Sequence, residues 1–171
     1  YKIGVATGRP LFSAKASVPH LEEDFDFAVT NNGGNVYDFA KKTEHEQYPL
    51  SGELVLEIIE RFRPLGANPI LYLDGKMVTE REDHYNKKIR NMLDIEFVDD
   101  MKKQVRESHA KIIFSATPEV VEKMQAYNAS HPDSRYNMFK SQTELVEFVD
   151  PRVNKEVGIE YYCQEYGIEL S

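Results

Sequence analysis

Ile3-Gly4-Val5-Ala6 is a continuous run of small apolar residues, a pattern that predicts a short buried strand of the parallel-sheet kind. It passes straight into Thr7-Gly8-Arg9-Pro10, after which Leu11, Ala14 and Val18 recur at helical spacing behind a proline suited to opening a helix. A second apolar run, Phe25 to Thr30, reaches Asn31-Asn32-Gly33-Gly34-Asn35 and resumes at Val36-Tyr37-Asp38. Asn-Gly between apolar runs predicts a hairpin, because such turns need residues that accept positive φ.

From Ser51 the period changes. Leu54, Val55, Ile58, Ile59 and Phe62 mark one face of a helix capped by Ser51 and ended near Pro64 and Gly66. Pro69 to Leu73 predicts a strand, Asp74-Gly75 a tight turn and Lys76 to Val78 the return. Thr79-Glu80-Arg81-Glu82 has capping-box spacing ahead of a helix whose buried face is Tyr85, Ile89, Met92 and Leu93. Residues 94–108 read both ways: Ile95, Phe97 and Val98 suit a strand, and Asp99 onward suits a short helix. Lys111 to Phe114 predicts a strand, and Thr117-Pro118 opens a helix carrying Val120, Val121, Met124 and Tyr127. Arg135 to Lys140 and Glu144 to Val149 predict two adjacent strands. The middle hundred residues therefore form an α+β unit between two pieces of something else. Beyond Pro151, Asn154 is an N-cap candidate for a helix with Ile159, Tyr162, Cys163 and Tyr166 on one face. The closing Gly167-Ile168-Glu169-Leu170-Ser171 reads as a helix stop with the first residues of a further element, and the whole sequence reads as a middle piece.

Composition narrows the partners. The 171 residues carry 21 Lys plus Arg against 29 Asp plus Glu, a formal net charge of -8, with no basic stripe of the kind that nucleic acid requires. No apolar run approaches membrane-spanning length and no signal peptide opens the chain. The single cysteine, Cys163, cannot form an internal disulfide and reads as a core contact, so a cytoplasmic location is expected. His20, His45, His84, His109 and His131 lack metal-ligand spacing, and there is no nucleophile elbow, P-loop or dinucleotide fingerprint. Asp99-Asp100 reads as solvated surface.

The stretch with chemical promise is the first one. Ligands of open α/β sheets bind outside the carboxyl ends of the strands, where Thr7 is expected. Its hydroxyl, the N–H groups around Gly8 and the Arg9 guanidinium suit a phosphate, although an ordinary strand-to-helix turn has the same residues. Asn32 is either a hairpin residue or an amide aimed at a ligand near Thr7. Lys155 stands in the first turn of the last helix, where the macrodipole disfavours a cation; it is either solvated or set against a nearby anion.

Taken together, Ile3–Pro10, Thr30–Asp38 and Val146–Lys155 resemble, in order and spacing, the Cof-like branch of the haloacid dehalogenase superfamily. The resemblance spans essentially the whole chain. It implies an α/β fold, with a partial Rossmann-like core at residues 1–47 and 146–171 and an inserted α+β cap at 48–145. It also implies Mg²⁺-dependent hydrolysis of small phosphorylated metabolites, sugar phosphates foremost, through an aspartyl-phosphate. Thr7 falls on the motif II hydroxyl that binds the phosphoryl group, and Lys155 on the motif III lysine that balances its charge. Gly8, Arg9 and Asn32 match positions near the mouth of the site. Two features depart from the pattern. Glu156 stands where motif III has glycine, and the motif I Asp-x-Asp-Gly-Thr nucleophile and the motif IV metal acids have no counterpart; Leu71-Tyr72-Leu73-Asp74-Gly75, the closest approach, reads as a hairpin turn. No metal ligand is thus expected in this sequence. A non-catalytic phosphometabolite-binding or regulatory domain is the alternative.

Overall fold

The computed structural model describes residues 1–169, and the backbone divides into two units, Tyr1–Pro49 with the segment from Arg152 onward, and Leu50–Pro151. Leu170 and Ser171, where the sequence suggests a further element, lie outside the described residues. The first unit begins with β1 (Gly4–Ala6), α1 (Leu11–Ser17), α2 (Leu21–Asp24), β2 (Phe27–Thr30), β3 (Asn35–Asp38) and β4 (Thr43–Glu46). The second contains β5 (Leu50–Ser51), α3 (Gly52–Phe62), β6 (Asn68–Leu73), β7 (Lys76–Thr79), α4 (His84–Ile89), β8 (Ile95–Phe97), β9 (Ser108–His109), β10 (Ile112–Ser115), α5 (Pro118–Ser130), β11 (Asn137–Gln142) and β12 (Leu145–Val149). The chain then returns to the first unit as α6 (Lys155–Glu165). The architecture is mixed α/β, a Rossmann-like core with a cap.

In the first unit the strand order is β1-β2-β3-β4, with β1 parallel to β2 and the remaining pairs antiparallel. Alternation along β2 divides its side chains between two faces. Ala28 packs with Ala14, Leu21 and Phe39 beside α1, while Phe27 and Val29 pack with Val36 and Tyr162 beside α6. The Phe27 ring fills the space above Gly4, its ladder partner, and stacks on Tyr162 at 3.9 Å between centroids.

The expectation of a buried first strand is corrected here. β1 is an edge among the described residues, with Gly4 and Ala6 exposed and Ile3 58% exposed. An apolar run signals burial only when strands flank it on both sides. The hairpin stands, with a four-residue connection: Thr30 pairs with Asn35 across Asn31–Gly34.

The second unit has a six-stranded sheet, β11-β12-β10-β6-β7-β8. One face packs on α3 and α5 through Ile58, Phe62, Met124, Phe114 and Phe148, a core of tilted and edge-on rings. The other receives Tyr85, Ile89 and Leu93 against Ile70, Met77 and Ile113. Ser51 caps α3 by accepting from the Leu54 N–H at 3.2 Å, and Asp74 and Gly75 both take positive φ in the β6–β7 turn. Three expectations change. Thr79 does not cap a helix: it ends β7 and donates its hydroxyl to the Pro69 carbonyl, and a capping box of Asp83 and Asn86 starts a shorter α4 that leaves Met92 54% exposed. Asp100 is no solvated bystander; it accepts from the Lys102 N–H and pairs with Arg63. Residues 146–149 lie in β12, hydrogen-bonded to β10 and β11, so the expected division at 145/146 falls inside a strand of the second unit.

A buried ion pair and a buried histidine in this unit lead to predictions. Lys111 and Glu147 form an ion pair at 2.8 Å with side chains 4% and 9% exposed, and burial lowers the lysine pKa. Removing one partner strands the other charge, so Lys111→Met costs about 3–5 kcal/mol in urea unfolding, and Lys111→Met/Glu147→Leu recovers most of it. Equal loss in both variants would contradict this account. His109 accepts from the Arg106 N–H at 2.8 Å, and burial, then the Arg106 charge, push its pKa down to about 4. The unfolded chain therefore binds a proton between pH 6.5 and 4 that the folded chain does not. Stability is constant with respect to this group above pH 6.5 and falls by up to about 3 kcal/mol as pH drops to 4. His109→Gln removes that component, and an unchanged pH profile of stability in the variant would refute it.

Candidate functional site

The candidate residues fall on three backbone segments of the first unit. Thr7 follows β1, and its N–H donates to the Val29 carbonyl at 2.8 Å, extending the pairing of β1 with β2 by one residue. Its hydroxyl oxygen accepts from the Arg9 N–H at 3.2 Å, a small turn that holds Gly8 at the strand end. The 31–34 connection lies directly alongside. Asn32 donates its N–H to the Thr7 carbonyl at 3.1 Å, and Asn31 donates to the Arg9 carbonyl at 2.9 Å. A Cβ placed on Gly8 would stand 2.7 Å from Asn32 Oδ1, so glycine there admits the amide.

The third segment is the start of α6. Asn154 caps it, its Oδ1 accepting from the Val157 N–H at 2.9 Å, and Lys155 is the first helical residue, exposed. A Cβ on Gly33 would lie 1.8 Å from the Asn154 carbonyl oxygen and 3.1 Å from Lys155 N. The loop is thus in backbone contact with the lysine's own peptide. At the C-cap of α6, the Tyr166 hydroxyl donates to Asp38 Oδ2, and that carboxylate raises the tyrosine pKa. The helix is anchored at its start, middle and end.

Thr7, Gly8 and Asn32 are therefore in mutual contact, and Lys155 joins them through Gly33. Arg9 shares the backbone network, but its guanidinium is held by the Ser17 hydroxyl on α1. Two contributors were not singled out from the sequence. Gly158, in the second turn of α6, brings the helix close to β2: a Cβ there would lie 2.4 Å from Val29 Cγ1. Gln47, 8% exposed, donates to the Gly34 carbonyl through its N–H at 2.7 Å. A glycine inside a helix was a legible signal for the first, since it costs about 1 kcal/mol relative to alanine; no local pattern marks the second.

None of the five candidate residues is a carboxylate. Among the described residues no group of three or more His, Cys, Asp and Glu is placed to hold a metal ion. No helix among the described residues is long and apolar enough to cross a membrane.

The fold is mixed α/β, with Leu50–Pro151 inserted between the two segments of the first unit. The chain belongs to the haloacid dehalogenase-like hydrolase family, whose model matches residues 1–171. Its fold is similar to that of a haloacid dehalogenase-like hydrolase from Bacteroides thetaiotaomicron, with a TM-score of 0.86 at 17% identity, covering 98% of this chain and 78% of that one. A Thermotoga maritima protein gives 0.82 at 19% identity, covering 96% and 62%. A protein described as a HAD subclass IIB sugar phosphatase gives 0.72 at 16% identity, covering 99% and 64%. The chain thus spans less than two thirds of the last two. No curated protein matches the sequence.

The N-cap generates a prediction. Asn154→Ala lowers the stability of the first unit by about 1 kcal/mol in denaturant titration; an unchanged midpoint would show that the cap hydrogen bond contributes nothing.

Proposed function

We propose that the first unit supplies the phosphate-binding half of a Cof-like phosphatase acting on small phosphorylated metabolites, with sugar phosphates the preferred class. The observation that carries this reading is the contact of the Asn31–Gly34 loop with both Thr7 and the backbone of Lys155. A hydroxyl and an ammonium brought toward one point complement a phosphoryl dianion, the hydroxyl donating to one oxygen and the lysine offsetting charge. Gly8, Arg9 and Asn32 line the approach, and the second unit, Leu50–Pro151, corresponds to the cap.

The family's chemistry needs a carboxylate that attacks phosphorus, expels the substrate oxygen and is freed when water cleaves the aspartyl-phosphate. In this reading that aspartate and the Mg²⁺ acids lie outside the 171 residues, because the sequence has no Asp-x-Asp-Gly-Thr. The sugar phosphate preference draws on the fold shared with the subclass IIB sugar phosphatase.

Activity separates the possibilities. The 171-residue chain alone leaves para-nitrophenyl phosphate at background hydrolysis with Mg²⁺, whereas the product of the whole reading frame turns over sugar phosphates and loses about 10²–10³-fold in kcat/KM on Lys155→Ala. Robust turnover by the isolated chain would show that the nucleophile lies within it. A whole-frame product that binds phosphorylated metabolites without hydrolysing them would establish the non-catalytic alternative.

A further inference from the structure

We propose that the Asn31–Gly34 loop, through Gly33 and its facing residue Gly158, is the positioning element that sets Lys155 against Thr7. This rests on the phosphate-site reading above. Asn31, Asn32 and Gly33 take φ of +50°, +61° and +106°, three successive residues in the left-handed region that side chains other than asparagine seldom tolerate. Such backbone persists only where its surroundings hold it. Here they do so on one side through the bonds from Asn31 and Asn32 to the Arg9 and Thr7 carbonyls. Gln47 holds the loop's own carbonyls, with its N–H donating to Gly34 at 2.7 Å and its Nε2 to Gly33 at 3.4 Å. The remaining side carries α6.

That side has no room for a side chain. A Cβ on Gly33 would meet the Asn154 carbonyl oxygen at 1.8 Å, and one on Gly158 would meet Val29 Cγ1 at 2.4 Å and Gly33 Cα at 3.4 Å. Restoring van der Waals distance at either glycine moves the first turn of α6 by roughly 1 Å, a displacement large enough to cost a positioned group about 10²-fold in effect. Thr7 stays behind, because its bonds are to β2 and the loop. The two glycines are positioning residues: neither touches the phosphate, and both fix how far Lys155 reaches.

Gly158→Ala is the cleaner test, since Gly158 lies in ordinary helical backbone and alanine is favoured over glycine there. Val29→Ala removes the Cγ1 and Cγ2 that the new methyl would strike, so Gly158→Ala/Val29→Ala should reseat the helix. The isotopically labelled chain is titrated with inorganic phosphate while the Thr7 amide and the Lys155 side-chain resonances are followed. In the parent chain both shift along one isotherm. In Gly158→Ala the Thr7 response survives, the Lys155 response is lost and the apparent Kd rises at least tenfold; the double variant restores both to within about twofold. A purely structural role would lower the melting temperature and leave the Lys155 response intact. Gly158→Ala with parental Lys155 shifts and affinity overturns the positioning role alone, as does a folded double variant in which Lys155 stays silent. Should Gly158→Ala not fold, a double variant that folds and responds like the parent supports the proposal. Silence at both Thr7 and Lys155 in the parent overturns the phosphate reading, and the positioning role falls with it.

Discussion

The approach of two backbones, Gly33 to the Asn154 carbonyl, is the constraint on which the rest of the first unit depends. Side chains cannot enter that contact, so its geometry is set by peptide groups whose dimensions do not vary. The left-handed run through Asn31 and Asn32 follows from it, because the loop must double back within four residues to lay Gly33 against the helix. The stack of Phe27 on Tyr162 and the bond from Tyr166 to Asp38 then fix the helix direction from its middle and its end. Lys155 inherits its place from all three.

The second unit is organised differently. Its stability comes from burial on both faces of a sheet, with aromatic side chains of α3, β10 and β12 interlocked on one side. Lys111 enters this interior paired with Glu147, and His109 accepts from the Arg106 amide. Each trades desolvation for a specific bond, and each makes the unit's stability depend on charge state. In the first unit the candidate groups stand at strand and helix ends, Thr7 after β1, Asn32 after β2 and Lys155 at the start of α6, where backbone donors and acceptors are left over.

What the sequence reveals follows the range of the interactions involved. Local signals were legible: the Ser51 and Asn154 caps, the Asp74-Gly75 turn, the hairpin after Thr30 and the amphipathic faces of α3 and α6. Signals that depend on distant neighbours were not. Ile3–Ala6 has the composition of a buried strand, yet whether it is buried depends on what pairs with its second edge. Thr79 and Asp83 both have capping chemistry, and only the demand of β7 for a partner on β6 decides between them. Residues 146–148 pair with β10 across more than thirty residues, a contact no local pattern announces. At the candidate site the chemical groups Thr7, Gly8, Arg9, Asn32 and Lys155 stood out in the sequence. A glycine inside a helix marks Gly158 as unusual, but what Gly33 and Gly158 approach is visible only in the fold.

The central claim is that Thr7 and Lys155 face one phosphate, and a crystal structure of the chain grown with inorganic phosphate tests it most directly. The account predicts an anion with one oxygen about 2.7–3.0 Å from Thr7 Oγ and another within similar reach of Lys155 Nζ, the two side-chain atoms lying within about 8–9 Å of each other. Phosphate bound elsewhere, with Thr7 and Lys155 too far apart for any lysine rotamer to bridge, would contradict it.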